Sequence, residues 1–331
     1  MPRRRNRRWS KPSTRSQAAE MSLKAAYRGV GAKRPRPTVA QRRANRDGWS
    51  MALPITLIVL AVIIVPIIWT FILSFQEARY SDVARNGMFN PLTLSNYTDV
   101  LTSAGFWESL WVTVLYTAGT TIGSIVVGFA AALALRGAFR GRGAVRAILL
   151  LPYVAPVVAA AYVWKVMLNP QYGVINELGT TYLGWEQSID FLGRPPFALL
   201  TVIVFEIWRY FPFAFIFFAA ALTGLSRDIE EAALIDGATP WQKFWHVITP
   251  QVMPVIALLT LLRLVMTFNK FDDIFLLTGG AAGTQVAAVR VYDQLVGSSD
   301  IGGASANAVL LALVLGAGLT LYLRLTRQKE S

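Results

Sequence analysis

WSMALPITLIVLAVIIVPIIWTFILSFQ, residues 49–76, contains no charged side chain. Crossing ~30 Å of hydrocarbon takes about 20 apolar residues in a helix, so this run can span a bilayer. It follows a basic arm, but it is too long for a signal-peptide core and lacks a small-residue cleavage site after it. In lipid every backbone N–H and C=O must be satisfied within the segment, which makes a helix the local solution. Five more apolar runs follow, at 109–135, 147–168, 196–225, 250–269 and 301–323. None alternates with the period of two that a barrel strand requires. The expected fold class is all-α, a polytopic membrane protein with six transmembrane helices.

Composition agrees. Apolar residues make up 54% and charged residues 15%, whereas a soluble domain carries roughly a quarter charged. The net charge of +13 is local. Residues 1–48 hold 15 of the 32 Lys and Arg against two acids, Glu20 and Asp47, which leaves 17 of each sign in 49–331. The arm is rich in Pro, Ser, Ala and Gly and is expected to be a disordered tail close to anionic lipid. The competing reading, a nucleic-acid arm, lacks a folded binding domain to follow it. The expected organisation is a tail at 1–48, a membrane domain at 49–325 and a short tail at 326–331.

Lys and Arg in the loops set the orientation. With the N-terminus inside, the inner segments 1–48, 136–146, 226–249 and 324–331 carry 15, 4, 2 and 3 basic residues. The outer segments 77–108, 169–195 and 270–300 carry 2, 1 and 2. Both termini are therefore expected in the cytoplasm of a multi-pass protein of the bacterial inner membrane. There is no cysteine and only one histidine, His246. Thiol chemistry is excluded, and no catalytic triad or metal site is expected. The sequence has no phosphate loop, zinc-protease motif or nucleophile elbow either, so no catalytic residues are expected.

The inner loop SRDIEEAALIDGATPWQKFWHVITP, residues 226–250, is patterned. Ser226 stands at an N-cap position, with Asp228 and Glu230 in the first turn, where the helix field favours acids. Gly237 suits the left-handed residue that ends a helix. Thr239 caps a second helix with Pro240 at its first position, carrying Trp241, Phe244, Trp245 and Val247 on one face. Read from its residues alone, the hairpin is amphipathic and could lie at the membrane surface.

Glu231-Ala232-Ala233, Gly237 and Pro250, with their spacing, resemble the EAA loop of binding-protein-dependent ABC importer permeases. FNPLTLSNYTDVL (89–101), LPYVAPVVAAAYVWKVMLNPQYGVIN (151–176), EIWRYFPF (206–213), FNKFDDIFLLTGG (268–280) and IGGASANAVL (301–310) resemble, in order, the carbohydrate permeases of the maltose-transporter type. The loop departs from the pattern at Thr249, where leucine is usual, and the LTGG run continues Ala281-Ala282-Gly283 rather than Gly-Pro. The resemblance implies that 226–250 forms coupling helices seated in a cytosolic ATPase. Glu231 would be the charged contact, Ala232 and Ala233 would allow close approach, and Gly237 would make the turn. It further implies a second homologous permease, two ATP-binding-cassette ATPases that bind the ATP, and an extracytoplasmic sugar-binding protein. No cofactor and no nucleic acid are implied for this chain.

Charges inside a span cost ~2.5–3.5 kcal/mol each on insertion scales and mark a pathway or a pair. Glu206 and Arg209, three apart on one helix, are expected to neutralise each other. Two readings stand for Glu206, Trp208, Arg209 and Asn269: they line a sugar path, or they tie helices together. Two alternatives to a sugar importer also stand. An importer of glycerol phosphate or a similar solute would want more cations facing the pore. A secondary transporter would want inverted repeats or ion-coupling carboxylates in mid-membrane.

Overall fold

The computed structural model describes residues 39–87 and 90–327. The chain divides at Pro66 into two compact units. In the first, helix α1 (Val39–Val59) passes through a π turn at Leu60–Ile64 into α2 (Val65–Leu73), which runs on into the second unit. Helix therefore begins ten residues inside the segment expected to be a disordered tail. Residues 1–38 lie outside the described residues. The physical reason is propagation: once an apolar span has met the cost of nucleation, Ala, Gln and Arg extend it at little further expense.

The second unit continues with α3 (Tyr80–Asn86), α4 (Ser95–Thr102), α5 (Ala104–Ala134), α6 (Arg142–Val154), α7 (Val157–Met167), α8 (Val174–Tyr182) and α9 (Phe197–Thr223). After these come α10 (Arg227–Ile235), α11 (Pro240–Lys243), α12 (Thr249–Phe268), α13 (Asp272–Thr278), α14 (Ala287–Tyr292) and α15 (Ile301–Arg327). Among the described residues five helices are long and apolar enough to cross a membrane, and the bent pair α6–α7 passes the same test when taken together, which allows up to six. The all-α polytopic expectation holds, with two corrections. The third span is not one helix but two, turned by 96° at Ala155-Pro156. The residue before a proline is driven out of the helical region, and Ala155 is extended at ψ 136°. The second arm of the inner hairpin is also not separate, since residues Pro240–Phe268 run as one helix into span five.

Prolines account for where the long helices loosen. Each of two π turns, Leu60–Ile64 and Phe244–Ile248, ends two residues before a proline, Pro66 and Pro250. A proline cannot donate to the carbonyl four back, and its ring crowds that carbonyl. An extra residue in the preceding turn relieves the crowding without ending the helix.

Helices α5 and α9 pack side by side in the same direction. A Cβ built on Gly119, Gly123 or Gly128 would meet Ile203, Ile207 or Ala214 in turn, and both numbers rise together. That agrees with two spans that cross from outside to inside. At Gly128 the added carbon would lie 2.8 Å from the Phe211 carbonyl oxygen, so a side chain there would force the helices apart. Without a hydrophobic drive between helices in lipid, such close packing holds a bundle together. Two apolar clusters form on this frame. One contains Phe129, Phe218, Leu222, Val252 and Leu259; the other contains Ala161, Val202, Phe205, Ile274 and Leu277. Between the clusters, buried polar side chains interrupt α5 at Thr117, Thr120, Thr121 and Ser124 and α9 at Glu206 and Arg209.

Loop contacts agree with the orientation read from the charges. Two segments expected inside meet where Arg136 pairs with Glu230. Two expected outside meet where Tyr80 N–H donates to the Ser299 carbonyl and Ile301 N–H to that of Ala78. The outer segment 270–300 is more than a loop. Helices α13 and α14 fold into the bundle, burying Ile274, Leu277 and Val289, and Ala287 N–H donates to Thr113 Oγ1 at 2.8 Å.

Candidate functional site

The inner hairpin is built from local signals. Ser226 occupies the N-cap of α10, extended at ψ 125°, without a side-chain capping bond. At the other end Gly237 takes φ +79°. Ala238 N–H reaches the Ala233 carbonyl at 2.9 Å and Gly237 N–H that of Leu234 at 3.1 Å. This pair of bonds is the Schellman closure, which needs a left-handed residue where glycine has no Cβ penalty. Thr239 then starts the second arm. Its hydroxyl accepts from Gln242 N–H, while Gln242 Oε1 accepts from Thr239 N–H at 2.8 Å.

Tertiary contacts give the hairpin two faces. Phe244 packs 5.6 Å from Phe129 and anchors the second arm on the inner apolar cluster. Glu230 is buried and gripped by Arg136, at the end of α5, and by Lys243, 2.7 Å away. Burial opposes its charge, but hydrogen bonds from Arg136 and Lys243 outweigh that and hold the carboxyl below the usual carboxylate range. The other face is open. Glu231, Ala232 and Gly237 are exposed, Ala233 is half-buried, and Ile235, Trp241 and Trp245 are exposed by 86%, 70% and 48%. Pro250 sits on the helix beyond, where it marks the π turn. Sequence reasoning singled out Glu231 and missed its neighbour Glu230 as the residue that fastens the hairpin. Two adjacent glutamates look alike until the partner's position is known.

The polar layer in the bundle joins three elements. Arg263 on α12 donates to Glu206 on α9 at 3.0 Å, with both side chains fully buried. Arg209 on α9 donates to Asp273 on α13 at 2.9 Å, and Lys270 stands 3.4 Å from the same carboxylate. The Tyr210 ring lies among these cations, 4.3 Å from the Arg263 guanidinium and 4.8 Å from the Lys270 ammonium, and Lys270 donates to its hydroxyl at 2.9 Å. Tyr153, at the broken end of α6, lies 5.6 Å from Tyr210, which brings the bent span to the layer.

This arrangement corrects the expectation for Glu206 and Arg209. They share a helix but do not pair with each other; each takes a partner from another element. Each guanidinium is held by the carboxylate that another element brings to it, Arg263 by Glu206 and Arg209 by Asp273. Trp208 is half-buried against Trp164 and Phe205, with centroids 5.6 and 6.0 Å away. Asn269 is exposed and donates to the Val265 carbonyl at 3.3 Å. The structure therefore brings two of the four path candidates into the layer and leaves Trp208 and Asn269 at its margin. Unspent hydrogen-bonding capacity is concentrated there too, at the hydroxyls of Tyr116, Thr117, Thr121 and Thr267, Glu206 Oε2, and Arg263 Nε and Nη1.

Comparison with known proteins gives consistent findings. Residues 124–329 match the family model described as binding-protein-dependent transport system inner membrane component. The chain is 39% identical to the inner membrane ABC transporter permease protein YcjO of Escherichia coli K12, covering 69% of this chain and 77% of that one. It is 31% identical to the trehalose/maltose transport system permease protein MalF of Thermococcus litoralis, covering 86% and 95%. Its fold superposes with TM-score 0.74 on a chain of a bacterial ABC transporter involved in the import of the acidic polysaccharide alginate, at 22% identity and over 87% and 98% of the two chains.

Proposed function

The chain belongs to the binding-protein-dependent transport system inner membrane components, and on that premise we propose that it forms half of the translocation pore of an ATP-driven sugar importer. Its place is the inner membrane, as a multi-pass transport subunit. In the proposed assembly a second homologous permease supplies the other half. Two cytosolic ATP-binding-cassette subunits bind and hydrolyse the ATP, and an extracytoplasmic binding protein delivers the sugar. This chain itself needs no cofactor.

The observation that carries the solute class is charge compensation in the polar layer. Arg209, Arg263 and Lys270 each already face a carboxylate of Glu206, Asp272 or Asp273, so three cations meet three anions. A phosphate or uronate path calls for a cation left over, and this layer offers none. Neutral hydroxyls are served instead by the free donors and acceptors around Tyr116, Thr117, Thr121 and Thr267, and Trp208 presents an aromatic face for the C–H side of a sugar ring. The trehalose/maltose permease among the relatives supports the same class. Glu206 and Arg209 position the layer, while Trp208 and Asn269 line its margin.

Coupling is assigned to the open face of the hairpin. Glu231, Ala232, Ala233 and Gly237 seat in the ATPase, and Pro250 marks where the arm joins span five. ATP-driven closure of the ATPases shifts the hairpin, and the bundle rocks from inward to outward opening. The test is reconstitution of the assembly with variants. Glu231→Ala and Gly237→Val are expected to insert normally yet lose ATPase co-purification or sugar-stimulated hydrolysis. Trp208→Ala is expected to raise the sugar concentration for half-maximal uptake. Normal transport by all three variants would defeat both assignments.

A further inference from the structure

The inner ends of α5, α6 and α9 enclose, with the hairpin, a cavity of about 500 Å³. Its wall carries Arg136, Arg142, Arg146 and Lys243 against Glu230 and Glu231, a surplus of two positive charges. Glu230 is already committed to Arg136 and Lys243. Arg142 and Arg146 have no carboxylate partner among the described residues. Arg146 Nη2 donates to the Leu135 carbonyl at 3.4 Å, and the Nε of both arginines is buried and unpartnered.

Their placement on α6 is costly for the free chain. They stand four residues apart, where like charges repel, at the helix start, where the backbone field disfavours cations. Two guanidinium groups on the wall of one cavity, four residues apart and neither paired with a carboxylate, call for an anion from outside the chain. We propose that this cavity binds a phosphate group, held by Arg142 and Arg146. Guanidinium forks match phosphate oxygens in pairs. By the orientation read from the loop charges the cavity opens at the inner end of the bundle, the side where anionic phospholipids concentrate, and Ala219, Leu222 and Leu225 give it an apolar flank. The phosphate can come from an anionic phospholipid headgroup or from the cytosol as the free ion. Either one would brace the hairpin against the helix ends.

The full-length chain in lipid nanodiscs provides the test, and binding is the readout, so the result is independent of the sugar reading. In discs of phosphatidylcholine with phosphatidylglycerol, native mass spectrometry is expected to find phosphatidylglycerol retained by the wild type. Retention should fall about tenfold for each of Arg142→Gln and Arg146→Gln, as loss of one charge-assisted contact implies. Arg140→Gln, exposed outside the cavity, should retain it in full. In neutral discs, thermal stabilisation by inorganic phosphate in the wild type, lost in both single variants, would identify the free ion as the source. Folding of each variant is checked by its circular dichroism. If the wild type binds neither species, or the two arginine variants bind as well as it does, the site does not exist and the surplus charge belongs to an acidic partner surface.

Discussion

Two carboxylates in this molecule are gripped alike, each by one arginine and one lysine, but in different surroundings. Asp273 lies fully buried between Arg209 and Lys270. Glu230 lies between Arg136 and Lys243, whose side chains are 28% and 22% exposed. In the low-dielectric interior, removing one partner leaves an uncompensated buried charge, so the cluster behaves as a permanent brace. At the water boundary the exposed ends are screened and can be rehydrated, so the same trio behaves as a clasp that opens at modest cost. Chemistry is shared; surroundings decide whether the joint is fixed or releasable.

The comparison can be broken at four points. Asp273→Ala should have the largest effect, about 3–5 kcal/mol, because it leaves Arg209 buried without an anion; loss of folded protein in a detergent melting assay is the readout. Gly237→Ala puts a Cβ on a left-handed residue and should cost about 1–2 kcal/mol, read as faster hydrogen exchange over 227–248. Glu230→Gln should cost ~1 kcal/mol and, unlike the interior change, lose its effect in high salt. The sign of the pH dependence follows from the lowered carboxyl of Glu230. Its contribution is complete above the unfolded carboxylate range and disappears as pH falls through the lower folded value. Hairpin protection, corrected for the intrinsic exchange rate at each pH, should therefore fall in acid for the wild type but not for Glu230→Gln. Thr239→Ala removes a capping box and should cost ~0.5–1 kcal/mol, measured by the same exchange. Equal effects at Asp273 and Glu230 would end the distinction between brace and clasp.

How much of this was legible in the sequence depends on how far apart the partners are. The hairpin's turn was readable because Gly237, Thr239 and Gln242 act on their own backbone within a few residues. The spans were readable because each is a long apolar run. The partners in the polar layer were not. Glu206 meets a residue 57 positions away and Arg209 one 64 positions away, and a one-dimensional pattern favours the neighbour three positions along. The break in the third span was half legible: Pro156 announces a disturbance, but the 96° bend is set by packing of α6 on α9 and of α7 on α13. Folding of the outer segment 270–300 into the bundle left no periodic signal, since its helices are six and seven residues long.

The unbroken run from Pro240 to Phe268 makes span five a connecting rod. Trp241 and Arg263 are 22 residues apart on it, roughly 33 Å at the rise of an α-helix. A tilt imposed on the tryptophan end must reappear as a sideways swing of the guanidinium that holds Glu206, because a helix bends little between its ends. The π turn beside Pro250, with Pro254 one turn further on, loosens that shaft near its inner end, so the stiffness there sets how much of a push is delivered and how much is absorbed.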